Sequence, residues 1–109
     1  MNERAREVLV KAALDGVKQV RGSYVTGTAM CALGVLAHAL CGNADVVQVG
    51  EQEFSEATGI SFAISAQECP ACGKVRSSEF ALIYHLNDEH ELDFLTIARK
   101  VGTEDTSCA

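Results

Sequence analysis

Apolar residues recur at helical spacing in the first half of the chain. Near the start, one helical stripe is formed by Leu9 or Val10, Ala13, Leu14 and Val17. Asn2 is a suitable N-cap and Gly16 a suitable stop, so we expect a helix that runs to about residue 15. The next run, AMCALGVLAHALCG, is apolar on nearly every side. This pattern predicts the central helix of the domain, capped by Thr28 and ended by Gly42, with Gly34 allowing close approach of a neighbour.

The middle of the chain alternates short apolar pieces with acidic residues. Residues 45–49 have the composition of a short strand, and EQEFSEATG that of a single helical turn anchored by Phe54. From residue 60 to 65, apolar Ile60, Phe62 and Ile64 alternate with small residues, which predicts a half-buried strand. Val75 resumes an extended path after a tight turn, so a short hairpin is expected there.

The C-terminal part predicts two further helices. Ser77 or Ser78 caps the first, and Asp93 caps the second, DFLTIARKV, which Gly102 ends. The whole pattern predicts a small α+β domain over residues 1–102, mostly helical, with about four helices and one short β-hairpin. Residues 103–109 are expected to form a flexible tail.

Composition limits the core and the classes of partner. The chain has 109 residues, including four Phe, two Tyr and no Trp, so its core is small and a metal ion would help to stabilise it. The net charge of −6 argues against broad binding to a phosphate backbone and suits a basic protein partner. The start of the chain lacks a secretory signal, and no apolar run approaches the roughly 20 residues of a membrane span. We therefore expect a cytoplasmic protein with no membrane contact.

The segment CPACGKVRSSEFALIYHLNDEH has the spacing of a zinc site. Cys69, Cys72, His85 and His90 follow the pattern C-x2-C-x12-H-x4-H. Five cysteines, an odd number, with one Cys-x2-Cys pair also favour an intracellular metal site over a disulfide framework. Four protein ligands close the coordination shell, so the predicted role of the zinc is structural and not hydrolytic. The alternative is a chance pair of cysteines with two unrelated helical histidines.

The same spacing resembles that of the two-cysteine, two-histidine nucleic-acid finger. In such a finger the base-reading positions would be Ser78, Ala81 and Tyr84, and none of these can make a bidentate contact with a base edge. The zinc prediction therefore stands without the DNA-binding prediction.

Other soft side chains lie on the apolar central helix. Cys31, His38 and Cys41 fall in one broad sector, but Cys31 and His38 are about 10 Å apart along a helix and cannot share an ion. Nothing nearby supplies an orienting acid or an oxyanion hole for a nucleophile. We expect all three to be core residues and the protein not to be an enzyme.

Two stretches resemble a group of small uncharacterised proteins of bacteriophages and prophages. GSYVTGTAMCALGVLAHAL resembles a segment that ends in their CCLGVL-like helix, and IYHLNDEHELDFLTIARKV resembles their C-terminal segment. The chain departs from this group at Ala32, where a second cysteine is common, and at His38, where an acid is common. The resemblance implies a phage-type origin and a bacterial host cell.

The expected function is therefore that of a non-catalytic, zinc-binding protein that contacts another protein, with a host or defence factor as the target. The alternative is a nucleic-acid-binding or transcription-modulating protein that uses the loop KQVRGSY.

Overall fold

The computed structural model describes residues 1–101, which form a mixed helical and β structure without a closed sheet. The helices are α1 Glu3–Leu14, α2 Ala32–Cys41, α3 Val46–Val49, α4 Glu51–Thr58, α5 Glu79–Asp88 and α6 Phe94–Lys100. The strands are β1 Val25–Thr26, β2 Ala29–Met30, β3 Gln67–Glu68 and β4 Val75–Arg76, paired antiparallel as β1–β2 and β3–β4. The α+β class is confirmed, with six helices and two hairpins in this range instead of about four and one. The helix stop at Gly102 and the predicted tail lie outside the described residues.

Helix α1 begins at its predicted cap. The Asn2 side chain accepts a hydrogen bond from the Ala5 amide at 2.8 Å. The buried face consists of Ala5, Leu9 and Ala12 at helical spacing. Leu14 is 79% exposed, so its assignment to the buried stripe was wrong. The step of two residues from Ala12 to Leu14 is a rotation of about 200° around the helix axis, which places Leu14 on the opposite face.

Helix α2 is central, as predicted, but begins later. Residues 32–37 are all buried, and Gly42 ends the helix in a left-handed conformation. Thr28 does not cap it, because Thr28 lies in the turn between β1 and β2, where Gly27 adopts a positive φ of 62°. Cys31 is the cap, and its Sγ accepts from the Gly34 amide at 3.3 Å.

Two predicted strands are absent from the described residues. Residues 46–49 are helical because the Asp45 carboxylate accepts from the Val47 amide at 3.0 Å and caps a helix. After Ile60 no neighbouring strand is available. The Ser61 hydroxyl instead accepts from the Ala63 amide at 3.0 Å, and Ile64 is 93% exposed. The segment EQEFSEATG forms α4, longer than the single turn expected, with Phe54 buried as predicted.

The core lies around α2. Helix α1 packs against α2 and α6, and α2 also contacts α3, α4 and α5. Phe54 makes edge contacts with Phe62 and Phe80, whose own rings stack with centroids 4.4 Å apart. The β3–β4 hairpin packs on α5, which brings the predicted ligand segments together. None of the helices between residues 1 and 101 has the length and apolar character needed to cross a bilayer.

Candidate metal centre

The β3–β4 hairpin holds the two cysteines in a tight turn. The Cys69 amide donates to the Lys74 carbonyl at 2.9 Å, and the Gly73 amide donates to the Cys69 carbonyl at 2.8 Å. Gly73 has a φ of +79°, a conformation that glycine adopts without strain. The Ala71 amide lies 3.4 Å from the Cys69 sulfur. The turn therefore directs backbone N–H groups towards a sulfur, as metal-binding thiolate turns require.

Helix α5 supplies the first histidine and the turn after it the second. Ser78 caps the helix by accepting from the Ala81 amide at 3.1 Å, as one of the two predicted caps. His85 lies in the last turn of α5. The His90 amide donates to the His85 carbonyl at 3.3 Å, so the chain folds back beneath the helix end. The resulting order is strand, strand, helix.

The structure brings the four predicted residues into one cluster. One donor atom from each of Cys69, Cys72, His85 and His90 lies within 4.8 Å of the others. The Cys72 sulfur is 3.6 Å from His85 Nε2, and the two histidine Nε2 atoms are 3.1 Å apart. A tetrahedral zinc ion has bonds of about 2.3 Å to sulfur and about 2.0 Å to nitrogen, which gives edges of about 3.6 Å for S···N and about 3.3 Å for N···N. These two distances are close to the edges expected for such an ion.

The surroundings of Cys69 and His85 favour the forms of these two residues that bind a metal. Cys69 and His85 are buried, His90 is half-buried and Cys72 is exposed. Burial opposes ionisation of Cys69, but hydrogen bonds from the Ala71 and Cys72 amides, together with Arg76, outweigh it and lower the pKa of the thiol. Burial and then the Arg76 charge lower the pKa of His85. A thiolate and a neutral imidazole are the states that a metal ion takes.

The Glu89 carboxylate, which the sequence motif did not indicate, lies beside His85. Nδ1 of His85 is buried and has no hydrogen-bond partner within residues 1–101, and a Glu89 carboxylate oxygen lies 3.4 Å from it. A metal-bound histidine commonly directs its second nitrogen to a carboxylate, which orients the ring. The sequence indicates this contact by an acidic residue four positions after a helical histidine.

Asn87 and its partners, also missed, hold the segment that carries the histidines. The Gln19 side-chain amide donates to Asn87 Oδ1 at 2.7 Å and to the Leu92 carbonyl at 2.6 Å. The Gly22 amide donates to the Asp88 carboxylate at 3.1 Å. The predicted contact loop is therefore bonded to the last residues of α5 and to the turn that precedes α6. A polar residue on the apolar face of α5 was the available signal.

The soft residues of α2 form no second centre. The Cys69–His90 cluster is the one group of three or more ligand-type residues within the described range that is compact enough for an ion. Cys31 is buried, as expected, and burial raises the pKa of its thiol. Cys41 is half-buried. The expectation that His38 is a core residue was wrong, because His38 is exposed whereas Leu40 of the same helix packs against the core.

The positions that would read bases in a nucleic-acid finger have other surroundings here. Ser78 is buried and its hydroxyl serves as the helix cap, whereas Ala81 is half-buried. Tyr84 is exposed, but the neighbouring Asp88 carboxylate raises its pKa and places negative charge beside it. This face of α5 lacks the donors and the positive charge that base recognition requires.

Comparison with protein-family models, with curated proteins and with solved structures finds no significant match to this chain.

Proposed function

We propose that Cys69, Cys72, His85 and His90 hold one structural zinc ion and that the protein is a non-catalytic factor that binds another protein. The observation that carries the zinc assignment is the convergence of two thiols and two imidazoles within 4.8 Å. Two sulfur and two nitrogen donors in tetrahedral spacing favour zinc over harder ions such as magnesium or calcium. The set is complete, so it leaves no ligand position for a reacting water.

The proposed ion stabilises the C-terminal half of the domain. It would join the short β3–β4 hairpin, which has only two residues in each strand, to the end of α5. Such a hairpin is not stable by itself in water. Glu89 would orient the His85 ring, and the amides of the cysteine turn would stabilise the thiolates.

Metal analysis of the purified protein tests the zinc assignment. Protein prepared without added metal should contain about one zinc per chain, because structural zinc binds tightly enough to be retained. Cys72→Ser should lose the zinc, and the control Cys41→Ser, a thiol change in α2, should keep it. Wild-type protein without bound metal, or equal zinc content in the two variants, would contradict the assignment.

Charge and sequence resemblance support the partner class. A chain with a net charge of −6 is suited to a basic protein surface. The resemblance to phage and prophage proteins supports a bacterial host or defence factor as the target and a cytoplasmic location. Capture from bacterial lysate with zinc-loaded protein should recover a partner that is released by salt. Capture of none would overturn this part of the proposal.

The order of two strands and a helix around the cluster is the observation that favours the nucleic-acid alternative. The local charges oppose it. Arg21 of the contact loop lies 3.3 Å from the Glu91 carboxylate, and Asp88 accepts from the loop backbone. A gel shift at low salt with steep salt dependence would establish this alternative, and no shift would remove it.

A further inference from the structure

An open groove with aromatic walls lies between the start of α5 and the helices α3 and α4. We call it the aromatic groove. It has a volume of about 450 Å³ and is lined by Tyr24, Val46, Val47, Gly50, Glu51, Phe62 and Phe80. Its size is in the usual range for binding sites, about 300–1,000 Å³. It contains none of the predicted metal ligands, so its role is separate from that of the metal centre.

The walls of the groove are held in place by contacts beneath them. Phe62 and Phe80 stack on each other, and both pack edge-on against the fully buried Phe54. On the opposite side, the Tyr24 carbonyl accepts from the Cys31 amide at 3.1 Å and is in close contact with Gly34 of α2. A preformed site loses little conformational entropy when a ligand binds.

The groove is apolar inside and acidic at its edge. Val47 of α3 is 76% exposed, whereas its neighbour Val46 is buried. Glu51 lines the groove and is exposed, and Asp45 precedes the valines as the cap of α3. No lysine, arginine or histidine lines the groove among the residues that the structure describes. Aromatic faces beside carboxylates attract a cation with an apolar stem.

We propose that the aromatic groove binds a basic segment of a protein partner, with the stem of an arginine or lysine against Phe62 and Phe80 and its charge towards Glu51. An aliphatic side chain of the same segment would cover Val47. This inference rests on the proposed function, because it identifies the surface through which the protein contacts its partner. Charge complementarity selects this occupant over a second copy of the chain, since two copies would bring the acidic edges together.

Three peptides of equal length test the proposal with zinc-loaded protein. Leucine alternates with arginine in the first, with glutamine in the second and with glutamate in the third. Fluorescence anisotropy should show the arginine peptide binding at least about tenfold more tightly than the glutamine peptide, and no binding of the glutamate peptide. In heteronuclear NMR spectra, the arginine peptide should shift the amide resonances of Tyr24, Val47 and Glu51. Absence of binding, equal binding of the first two peptides, or shifts elsewhere would overturn the proposal.

Variants separate the groove from the general negative charge. Glu51→Lys should weaken the arginine peptide about tenfold, and Val47→Ser about threefold. The controls are Glu7→Lys, the same charge change on α1, and Leu14→Ser, a matched loss of an exposed apolar side chain. Both should bind within about twofold of the wild type. Equal weakening by the two lysine variants would reduce the effect to net charge and would contradict the proposal.

Two further measurements distinguish the possible failures. Sedimentation that shows a dimer disrupted by Val47→Ser would assign the groove to a second copy and overturn the proposal. If Glu51→Lys keeps its zinc and still captures the same lysate partner with unchanged salt release, the groove assignment fails and the proposed function stands. If the wild-type protein contains no zinc and captures no partner, the proposed function fails.

Discussion

At the scale of single residues, the amide of Asn87 organises the end of α5. Its side chain is buried, and each of its polar atoms is hydrogen-bonded. Oδ1 accepts from Gln19 at 2.7 Å and from the Ala32 amide at 3.0 Å, and Nδ2 donates to the Val20 carbonyl at 3.0 Å and to Asp88 at 2.7 Å. A fully satisfied buried network of this kind specifies one arrangement of the elements that it joins.

Asn87→Asp should destabilise the protein by about 3 kcal/mol. A carboxylate cannot donate to the Val20 carbonyl and would place a buried charge beside Asp88. Urea unfolding of the zinc-loaded protein measures the loss. The control Asn43→Asp keeps the acceptor of the Asp45 amide at a half-buried site and should change stability by about 0.5 kcal/mol. Similar losses for the two variants would show that the Asn87 network contributes little.

The Glu89 carboxylate tests the orientation of His85 in the proposed site. Glu89→Gln should weaken zinc binding about tenfold. This is the low end of the range for loss of a carboxylate that orients a metal-bound histidine, because Glu89 is largely exposed. Competition with a zinc-binding dye gives the affinity. Glu91→Gln removes the same charge from an exposed partner of Arg21 and should leave the affinity unchanged. An equal effect of the two variants would indicate general electrostatics and not a specific interaction of Glu89 with His85.

At the scale of elements, Gly34 determines how the contact loop meets the central helix. A Cβ atom at this position would lie 2.0 Å from the Tyr24 carbonyl oxygen, too close for a non-bonded contact between carbon and oxygen. The loop backbone therefore rests directly on α2, and this contact also places Tyr24 at the wall of the aromatic groove. The predicted close approach at Gly34 is confirmed, and the loop is the element that approaches.

Gly34→Ala should destabilise the protein by about 3 kcal/mol, because the obstructing atom belongs to the backbone and cannot rotate away. Helix propensity alone predicts the opposite sign, a gain of about 1 kcal/mol. Thermal unfolding decides between them. Ala39→Gly, at an exposed position of the same helix, measures the propensity effect and should cost about 1 kcal/mol. A stabilised Gly34→Ala variant would contradict the close contact.

At the scale of the whole molecule, the helices and the β3–β4 hairpin differ in how much apolar surface they bury. Helices α1, α2, α4, α5 and α6 share an apolar core that includes Leu9, Leu36, Phe54, Ile83 and Ile97. The β3–β4 hairpin, by contrast, is mostly exposed and contacts α5. The proposed zinc ion would connect this hairpin, through Cys69 and Cys72, to His85 and His90.

Removal of the metal should loosen one part of the molecule. After treatment with a chelator, hydrogen exchange measured by mass spectrometry should increase in residues 67–78 and 88–92, whereas α2 should stay protected by its buried position. Cys72→Ser should exchange like the chelated protein and should not respond to the chelator. Uniform loss of protection would mean that the metal maintains the entire fold, and no change would contradict a structural metal.

The sequence alone determined the features that depend on neighbouring residues. The caps Asn2 and Asp93 were predicted, and Ser78 was one of two predicted caps, because a polar side chain bonds an amide two or three positions later. The apolar run of α2 predicted its central position for a similar reason, since a helix without a polar face must be covered. The ligand spacing predicted which four residues could meet, because a turn and a helix bring such positions together.

Tertiary structure decided what depends on distant partners. Residues 60–65 have the alternation of a strand, but within residues 1–101 no strand pairs with them. An unpaired strand would leave backbone groups unsatisfied. The stripe assigned to α1 included Leu14, but the packing of α1 on α2 and α6 buried a different face. The Asn87 network and the aromatic groove join residues far apart in sequence, so no local pattern encodes them. They exist because the packing of α2, α4 and α5 brings those residues together.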